Sequence, residues 1–160
     1  MDIILLLTAL SSALLTGAIF GFFYAWSCAC MWGFDEADPK TAIRAMQAIN
    51  NSVQNAAFAP AFFLPPVALL LTAWVAHMSR ADTTFFIAAA ILYLVGGVGV
   101  TVARNVPLNQ LLAETSVPES ETEAARLWQE YSRPWQRWNA VRTAASGVAL
   151  LFICLGLIAI

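Results

Sequence analysis

Four long apolar segments dominate the chain, and nearly all polar residues lie between the first and second or between the third and fourth. The segments are Ile3–Met31, Phe58–Met78, Thr84–Val102 and Ala144–Ile160. Each is close to the ~20 residues that an α-helix needs to cross the hydrocarbon core of a bilayer. Lipid cannot satisfy backbone polar groups, and no segment alternates apolar with polar residues. The pattern therefore predicts helices rather than strands.

The fold class predicted from this pattern is all-α, a transmembrane four-helix bundle in which residues 1–160 form one integral membrane domain. We predict that the last two spans are longer than the apolar segments themselves and include the residues next to them. The predicted spans are residues 3–31, 58–78, 84–105 and 138–160.

The two long connections are predicted to be amphipathic helices at about residues 39–56 and 120–137. Asp38-Pro39 is typical of a helix start, because aspartate caps a helix and proline fits its first turn. Amide side chains in the first connection recur at spacings of three, four and seven, on one face: Gln47, Asn50, Asn51 and Gln54. Aromatic and polar side chains in the second recur similarly and lead into the fourth span: Trp128, Tyr131, Trp135, Trp138, Asn139 and Arg142.

Composition and charge exclude two broad classes of protein. Hydrophobic residues make up 60% of the chain and charged residues 11%, far from the ~45–50% and ~25% of soluble domains. The formal net charge of −2 gives no indication of nucleic-acid binding. We therefore expect the lipid bilayer as a partner and no nucleic acid.

The basic residues predict an orientation in the membrane. Seven of the eight Lys and Arg residues lie in the two long connections or at their edges, and Arg80 alone lies in the short turn Ser79–Thr83. By the positive-inside rule, both long connections face the cytoplasm and both termini lie outside. We expect a bacterial inner membrane.

Small residues predict close helix packing in two spans. Gly17 and Gly21 belong to a stripe of small residues spaced four apart in the first span, which lets another helix approach closely. Gly96, Gly97 and Gly99 indicate the same in the third span. The Gly17/Gly21 stripe fits packing within the bundle or between two copies, so a homo-oligomer is one of two open interpretations.

The segment Arg104–Asn109 carries the first candidate chemistry. Pro107 removes a backbone donor and disfavours helical geometry at the residue before it, which predicts a break or kink. Asn105 and Asn109 then either satisfy the freed backbone groups or present their amides to a bound molecule. Both interpretations stay open.

Arg142 opens a fourth span that is apolar from Ala144 onward, where a buried arginine costs several kcal/mol without a partner. It either reaches back to lipid phosphates or points into the bundle toward Asn105, Asn109, Asn139, Gln47 and Asn50. In the second case Trp128, Tyr131, Trp135 and Trp138 cover a polar cluster, whereas in the first they form an interfacial aromatic belt.

Metal and cofactor sites are not expected. His77 is the single histidine and is predicted at the opposite end of the bundle, and no carboxylate lies inside a span. Cys28 and Cys30 are soft ligands, but their spacing on a helix turns the two thiols about 200° apart.

Four strings in this chain resemble the signature of a known family: Phe23–Ser27, Ala45–Asn50, Arg104–Asn109 and Trp138–Thr143. In order and spacing they are similar to those of the anthrone-oxygenase-like family of small integral membrane proteins. The resemblance covers essentially the whole chain. It implies a four-span fold and, in the members that give the family its name, oxidation of anthrones to anthraquinones.

The resemblance implies a site that binds the enolate oxygen of the substrate, through Asn105, Asn109, Asn139 and Arg142. It also implies aromatic side chains that stack on a flat ring system, namely Trp128, Tyr131, Trp135 and Trp138, with Gln47 and Asn50 nearby. It implies chemistry with dioxygen and no metal or flavin. Many relatives carry a histidine where this chain has Ala140, which leaves water, Tyr131 or Tyr24 as the base. A rival interpretation is a non-enzymatic accessory or structural membrane subunit, while too few polar residues lie in the spans to line a transport path.

Overall fold

The computed structural model describes residues 2–160. Over this range the chain forms five helices and no strand, which confirms the all-helical prediction. The helices are α1 (Ile3–Glu36), α2 (Pro39–Ser52), α3 (Phe58–Met78), α4 (Thr84–Glu114) and α5 (Glu121–Ala159). Four of them, α1, α3, α4 and α5, are long and apolar enough to span a membrane.

The four long helices form a closed bundle in which each packs on two neighbours. α1 lies against α3 and α5, and α4 completes the bundle by packing on α3 and α5. One core, at the end of the bundle nearest the chain termini, is almost purely apolar and includes Ile19, Phe86, Tyr93 and Ile153. This burial of large side chains fixes how the helices face one another.

A second core lies at the other end of the bundle, where α2 packs across α4 and α5. We call this the connection end, because it holds α2 and the loop at residues 115–120. Met31, Ile43, Met46 and Leu112 are buried there together with several aromatic side chains. The two long connections therefore belong to the packed structure.

Capping groups explain where the polar helices begin. The Asp38 side chain accepts hydrogen bonds from the Thr41 backbone N–H at 2.8 Å and from its hydroxyl at 2.9 Å, so α2 begins at Pro39. Ser120 accepts a hydrogen bond from the Glu123 N–H at the start of α5. From there α5 continues without a break through the fourth span, as its sequence pattern predicts.

α4 does not break at Pro107. Its backbone changes to π-helical hydrogen bonding over Tyr93–Gly99 and Thr101–Asn105, and α-helical bonding resumes at Val106. Because the Val106 N–H reaches five residues back to the Thr101 carbonyl, the helix accommodates the proline by widening a turn. A similar π-helical turn lies in α1 at Trp26–Cys30.

The glycines in the first and third spans have different surroundings. A Cβ on Gly96 would overlap the Cβ of Ala145 on α5, so this glycine permits the close approach of α4 and α5. Gly21 is exposed, with no atom within 4 Å of the position of a Cβ, and the nearest atom at Gly17 is 3.9 Å away. The Gly17/Gly21 stripe is therefore not a tight seam within the bundle, and pairing of two copies there stays a prediction.

Candidate functional site

A cavity of about 760 Å³ lies at the connection end of the bundle. All five helices contribute to its wall: α1, the C-terminal part of α2, the start of α3, the C-terminal half of α4 and the middle of α5. Its volume falls in the ~300–1,000 Å³ range of small-molecule sites. Most of the wall is aromatic or aliphatic, and the aromatic residues are Phe22, Phe23, Trp26, Phe58, Phe62, Phe63 and Trp135.

Arg142 projects from α5 into this cavity and is only 5% exposed. Its Nη1 donates to the Thr101 hydroxyl at 3.2 Å, and its Nη2 donates to Asn139 Oδ1 at 2.8 Å. Its guanidinium carbon lies 4.4 Å from the ring centre of Phe23 and 5.2 Å from that of Trp135. Ring faces and neutral oxygens thus stabilise the cation partially, with no carboxylate opposite it.

No carboxylate lines the cavity within residues 2–160. Asp35, at the same end of the bundle, is occupied by other donors, since its oxygens accept hydrogen bonds from Trp128, Ser132 and Gln136. The positive charge of Arg142 is therefore unpaired at the cavity wall, an unfavourable state for a buried ion.

Three buried polar atoms at this cavity have no hydrogen-bond partner among the described residues. They are Arg142 Nε, Asn105 Oδ1 and Asn50 Nδ2. In the whole described chain the only other such side-chain atom is Thr16 Oγ1. Native structures keep such atoms rare because each costs about 1–3 kcal/mol, so three at one cavity are unusual.

Asn109 adds a fourth polar group, and its orientation follows from its neighbours. Its Oδ1 accepts hydrogen bonds from Trp135 Nε1 and from the Tyr131 hydroxyl, each at 2.9 Å. An indole N–H can only donate, so the amide oxygen must face Trp135 and the amide nitrogen points the other way. Asn109 lines the cavity, so this leaves its donor available there.

Asn139 lies behind Arg142 rather than at the cavity. It is 1% exposed, and its Nδ2 donates to the Phe23 carbonyl at 2.9 Å and the Ser27 hydroxyl at 2.8 Å. Its Oδ1 accepts the hydrogen bond from Arg142 Nη2. The side chain therefore ties α5 to the π-helical turn of α1 and orients the guanidinium.

The other residues that the sequence groups with the site hold the connection end together instead of lining the cavity. Gln47 donates to the Leu112 and Thr115 carbonyls at the end of α4. Trp128 donates to Asp35 at 2.8 Å, and the Trp138 ring lies 4.9 Å from the Arg104 guanidinium carbon. Tyr131 does not line the cavity, but its hydroxyl donates to Asn109, which does. Of the predicted residues, the cavity wall thus contains Asn50, Asn105, Asn109, Trp135 and Arg142.

Sequence reasoning missed the aromatic wall that α1 and α3 contribute. Phe23 and Trp26 belong to one of the strings that carry the family resemblance, so that string held a signal. Phe58 and Phe62 sit in an apolar span where nothing marks them as different from lipid-facing residues. Thr101, whose hydroxyl accepts a hydrogen bond from Arg142, also has no feature in the sequence that points to a site.

Comparison with known families places this geometry in context. The profile of the anthrone oxygenase family matches residues 52–152, more than half of the chain. The chain belongs to the anthrone oxygenase family. No curated protein and no solved structure matches it.

The anthrone oxygenase family match includes Asn105, Asn109 and Arg142 but leaves out α1. Ala140 is exposed on α5 and does not line the cavity. Tyr24 is 54% exposed on α1 and does not line the cavity either. No group of three metal-ligating side chains occurs in residues 2–160.

Proposed function

We propose that this member of the anthrone oxygenase family binds a flat, apolar, oxygen-bearing aromatic molecule such as an anthrone or a quinol in the 760 Å³ cavity. The observation that carries the proposal is the unpaired guanidinium of Arg142 on an aromatic wall. A ligand that brings a phenolate or enolate oxygen supplies the missing negative charge. Its rings then cover the faces of Phe22, Phe62 and Trp135.

The reaction that fits this arrangement is oxidation of an anthrone by dioxygen without a metal or flavin. The methylene carbon next to the aryl ketone system loses a proton, and the negative charge is shared with the ketone oxygen. Arg142, with the Nδ2 donors of Asn50 and Asn109, stabilises that oxygen in a setting of low dielectric, whereas the unpartnered Asn105 Oδ1 can accept a hydrogen bond from a substrate hydroxyl. The carbanion bonds to dioxygen, and the protonated hydroperoxide loses water to leave a second carbonyl.

Water is the base that this geometry favours. The Tyr131 hydroxyl donates to Asn109, and Tyr24 does not line the cavity. Stabilising the enolate lowers the pKa of the substrate itself, so a weak base suffices. Arg142 is therefore assigned the main electrostatic role.

The test is anthrone binding by purified protein in lipid nanodiscs, followed by quenching of tryptophan fluorescence and by oxygen consumption. We expect Arg142→Met to weaken anthrone affinity at least about tenfold, a change of ~1.4 kcal/mol. Methionine keeps an apolar stem against Phe23 and removes a buried unpaired charge, so the variant should fold.

Arg104→Met is the matched control, because Arg104 is exposed, lies on the same end of the bundle and does not line the cavity. It should bind anthrone like the wild type. A folded Arg142→Met protein with unchanged anthrone affinity and oxygen consumption would disprove the assignment and favour a structural or accessory role. A solvent extract of the purified protein gives a second readout, since a bound aromatic molecule should be lost in Arg142→Met alone.

A further inference from the structure

We propose that the ligand enters the cavity sideways from the bilayer, through an opening between the first turns of α3 and the C-terminal half of α4. The inference rests on the proposed function and adds a property of the substrate: it dissolves in lipid as a neutral molecule and becomes an anion only inside.

Three apolar residues define this opening. Phe63 on α3 and Val102 and Val106 on α4 line the cavity, yet they are 58%, 60% and 36% exposed. A side chain that faces both the interior of a cavity and the exterior of the protein lies on the rim of the cavity. The rim formed by these residues carries no polar side chain.

The depth of the opening follows from helix geometry. α3 ends at Met78 and α4 begins at Thr84, so the short turn between them marks one membrane surface. At 1.5 Å per residue, Phe63 lies about 22 Å and Val102 about 27 Å from that surface. Both values are within the ~30 Å hydrocarbon core. Val106, about 33 Å from that surface, lies just beyond the core, so the part of the apolar rim that Phe63 and Val102 form faces lipid tails.

A second part of the rim is polar and lies farther along the helices. Its exposed lining residues are Asn51, Gln54, Asn55 and Gln110. Gln110 is about 39 Å along α4 from Thr84, at the level of the lipid headgroups. The cavity thus extends from the hydrocarbon to the interface, and its polar rim is the competing route of access from water.

The position of Arg142 favours the route through lipid. It lies about 26 Å along α5 from Ala159, at the depth of Val102 rather than of Gln110. A neutral aromatic molecule that moves in from the tails meets the guanidinium without passing the polar rim. An ionised molecule would have to leave the headgroup region first, against its own solvation.

The experiment measures rates of anthrone binding by stopped-flow tryptophan quenching, with the protein in phosphatidylcholine nanodiscs. Val102→Trp narrows the lipid rim, while Gln110→Trp places the same side chain on the polar rim. For Val102→Trp we expect the association and dissociation rates to fall together by about tenfold, so that the dissociation constant changes little. Phe63→Ala widens the rim and should raise both rates.

Gln110→Trp should leave both rates within about twofold of the wild type. The inference is overturned if Gln110→Trp slows binding while Val102→Trp and Phe63→Ala do not, which would show access from water. Failure of the proposed function looks different, because the wild type would then show no saturable anthrone quenching that Arg142→Met removes. Since both rim positions are exposed, the substitutions should not disturb the packed core.

Discussion

At the scale of single residues, the surroundings of Arg142 decide what the cavity can do. A buried guanidinium normally faces a carboxylate, since the cost of removing it from water is several kcal/mol. Here it has two neutral acceptors, two ring faces and an Nε that makes no hydrogen bond. An anionic ligand can therefore form the ion pair with this guanidinium that the protein itself does not provide.

Asn139 holds that guanidinium in place, and the substitution Asn139→Ala tests this role. Asn139→Ala deletes three buried hydrogen bonds, to Phe23, Ser27 and Arg142. We expect the free energy of unfolding in detergent to fall by about 2–4 kcal/mol, because buried partners are left unsatisfied.

Ser27→Ala is the control for Asn139→Ala, because it removes only one of the three partners of Asn139. The Ser27 hydroxyl also bonds the Phe23 carbonyl and the Thr143 hydroxyl, so we expect a cost of about 1–2 kcal/mol. Asn139→Ala should also weaken anthrone binding more than Ser27→Ala does, since the guanidinium is then free to turn. Equal losses of stability and affinity in the two variants would contradict the positioning role of Asn139.

Residue roles could be predicted from the sequence only in part. The position of Arg142 in the fourth span, and the polar residues that recur at spacings of three, four and seven in the two connections, indicate a polar cluster at one level of the membrane. Periodicity gives the face of a helix but not its rotation against other helices. For that reason Asn139, Gln47, Trp128 and Trp138 were grouped with the cavity, although they lie behind it or beside it.

At the scale of helices, π-helical turns adjust the direction of the side chains that form the site. The turn at Trp26–Cys30 begins with a cavity residue, and the turn at Thr101–Asn105 has cavity residues at both ends. Hydrogen bonds between residues five apart change the rotation per residue about the helix axis. The direction of the side chains then differs from that predicted with the α-helical period. The sequence marked this region through Pro107 and predicted a break or a kink in α4, where the structure has a continuous helix with a π-helical turn.

The contact between α4 and α5 supplies the second prediction. Gly96→Ala places a methyl group against Ala145 on the neighbouring helix, and we expect the free energy of unfolding to fall by about 1–3 kcal/mol. Adding Ala145→Gly should restore much of this loss, because it removes the methyl group that collides.

The control for Gly96→Ala is Gly21→Ala, where no atom lies within 4 Å of the new methyl group. That variant should be neutral or stabilised by up to ~1 kcal/mol through helix propensity. Double-mutant cycles measured by denaturant titration distinguish these effects. Additive losses in Gly96→Ala and Ala145→Gly would show that the two residues are not in contact.

At the scale of the whole molecule, the distribution of polar groups gives the bundle two different ends. The end near the termini has an apolar core and a short turn, whereas the connection end carries α2, the cavity and most of the basic residues. Four spans and this asymmetry were predictable, because hydrophobic length and charge are read directly from the sequence. The size and the lining of the cavity were not, since they depend on how all five helices come together at the connection end.

The orientation of the bundle is the last prediction, and it follows from the basic residues. Seven of the eight Lys and Arg residues belong to the connection end, so this end should face the cytoplasm. In a background with Cys28, Cys30 and Cys154 replaced by alanine, single cysteines at Asp82 and at Glu119 report the two ends, since both positions are exposed. In intact bacterial cells a membrane-impermeant maleimide should label the cysteine at position 82 and not the one at 119, and after lysis it should label both. The reverse pattern in intact cells would place the cavity and its polar rim on the outside, and lateral access from the bilayer would then serve the outer leaflet.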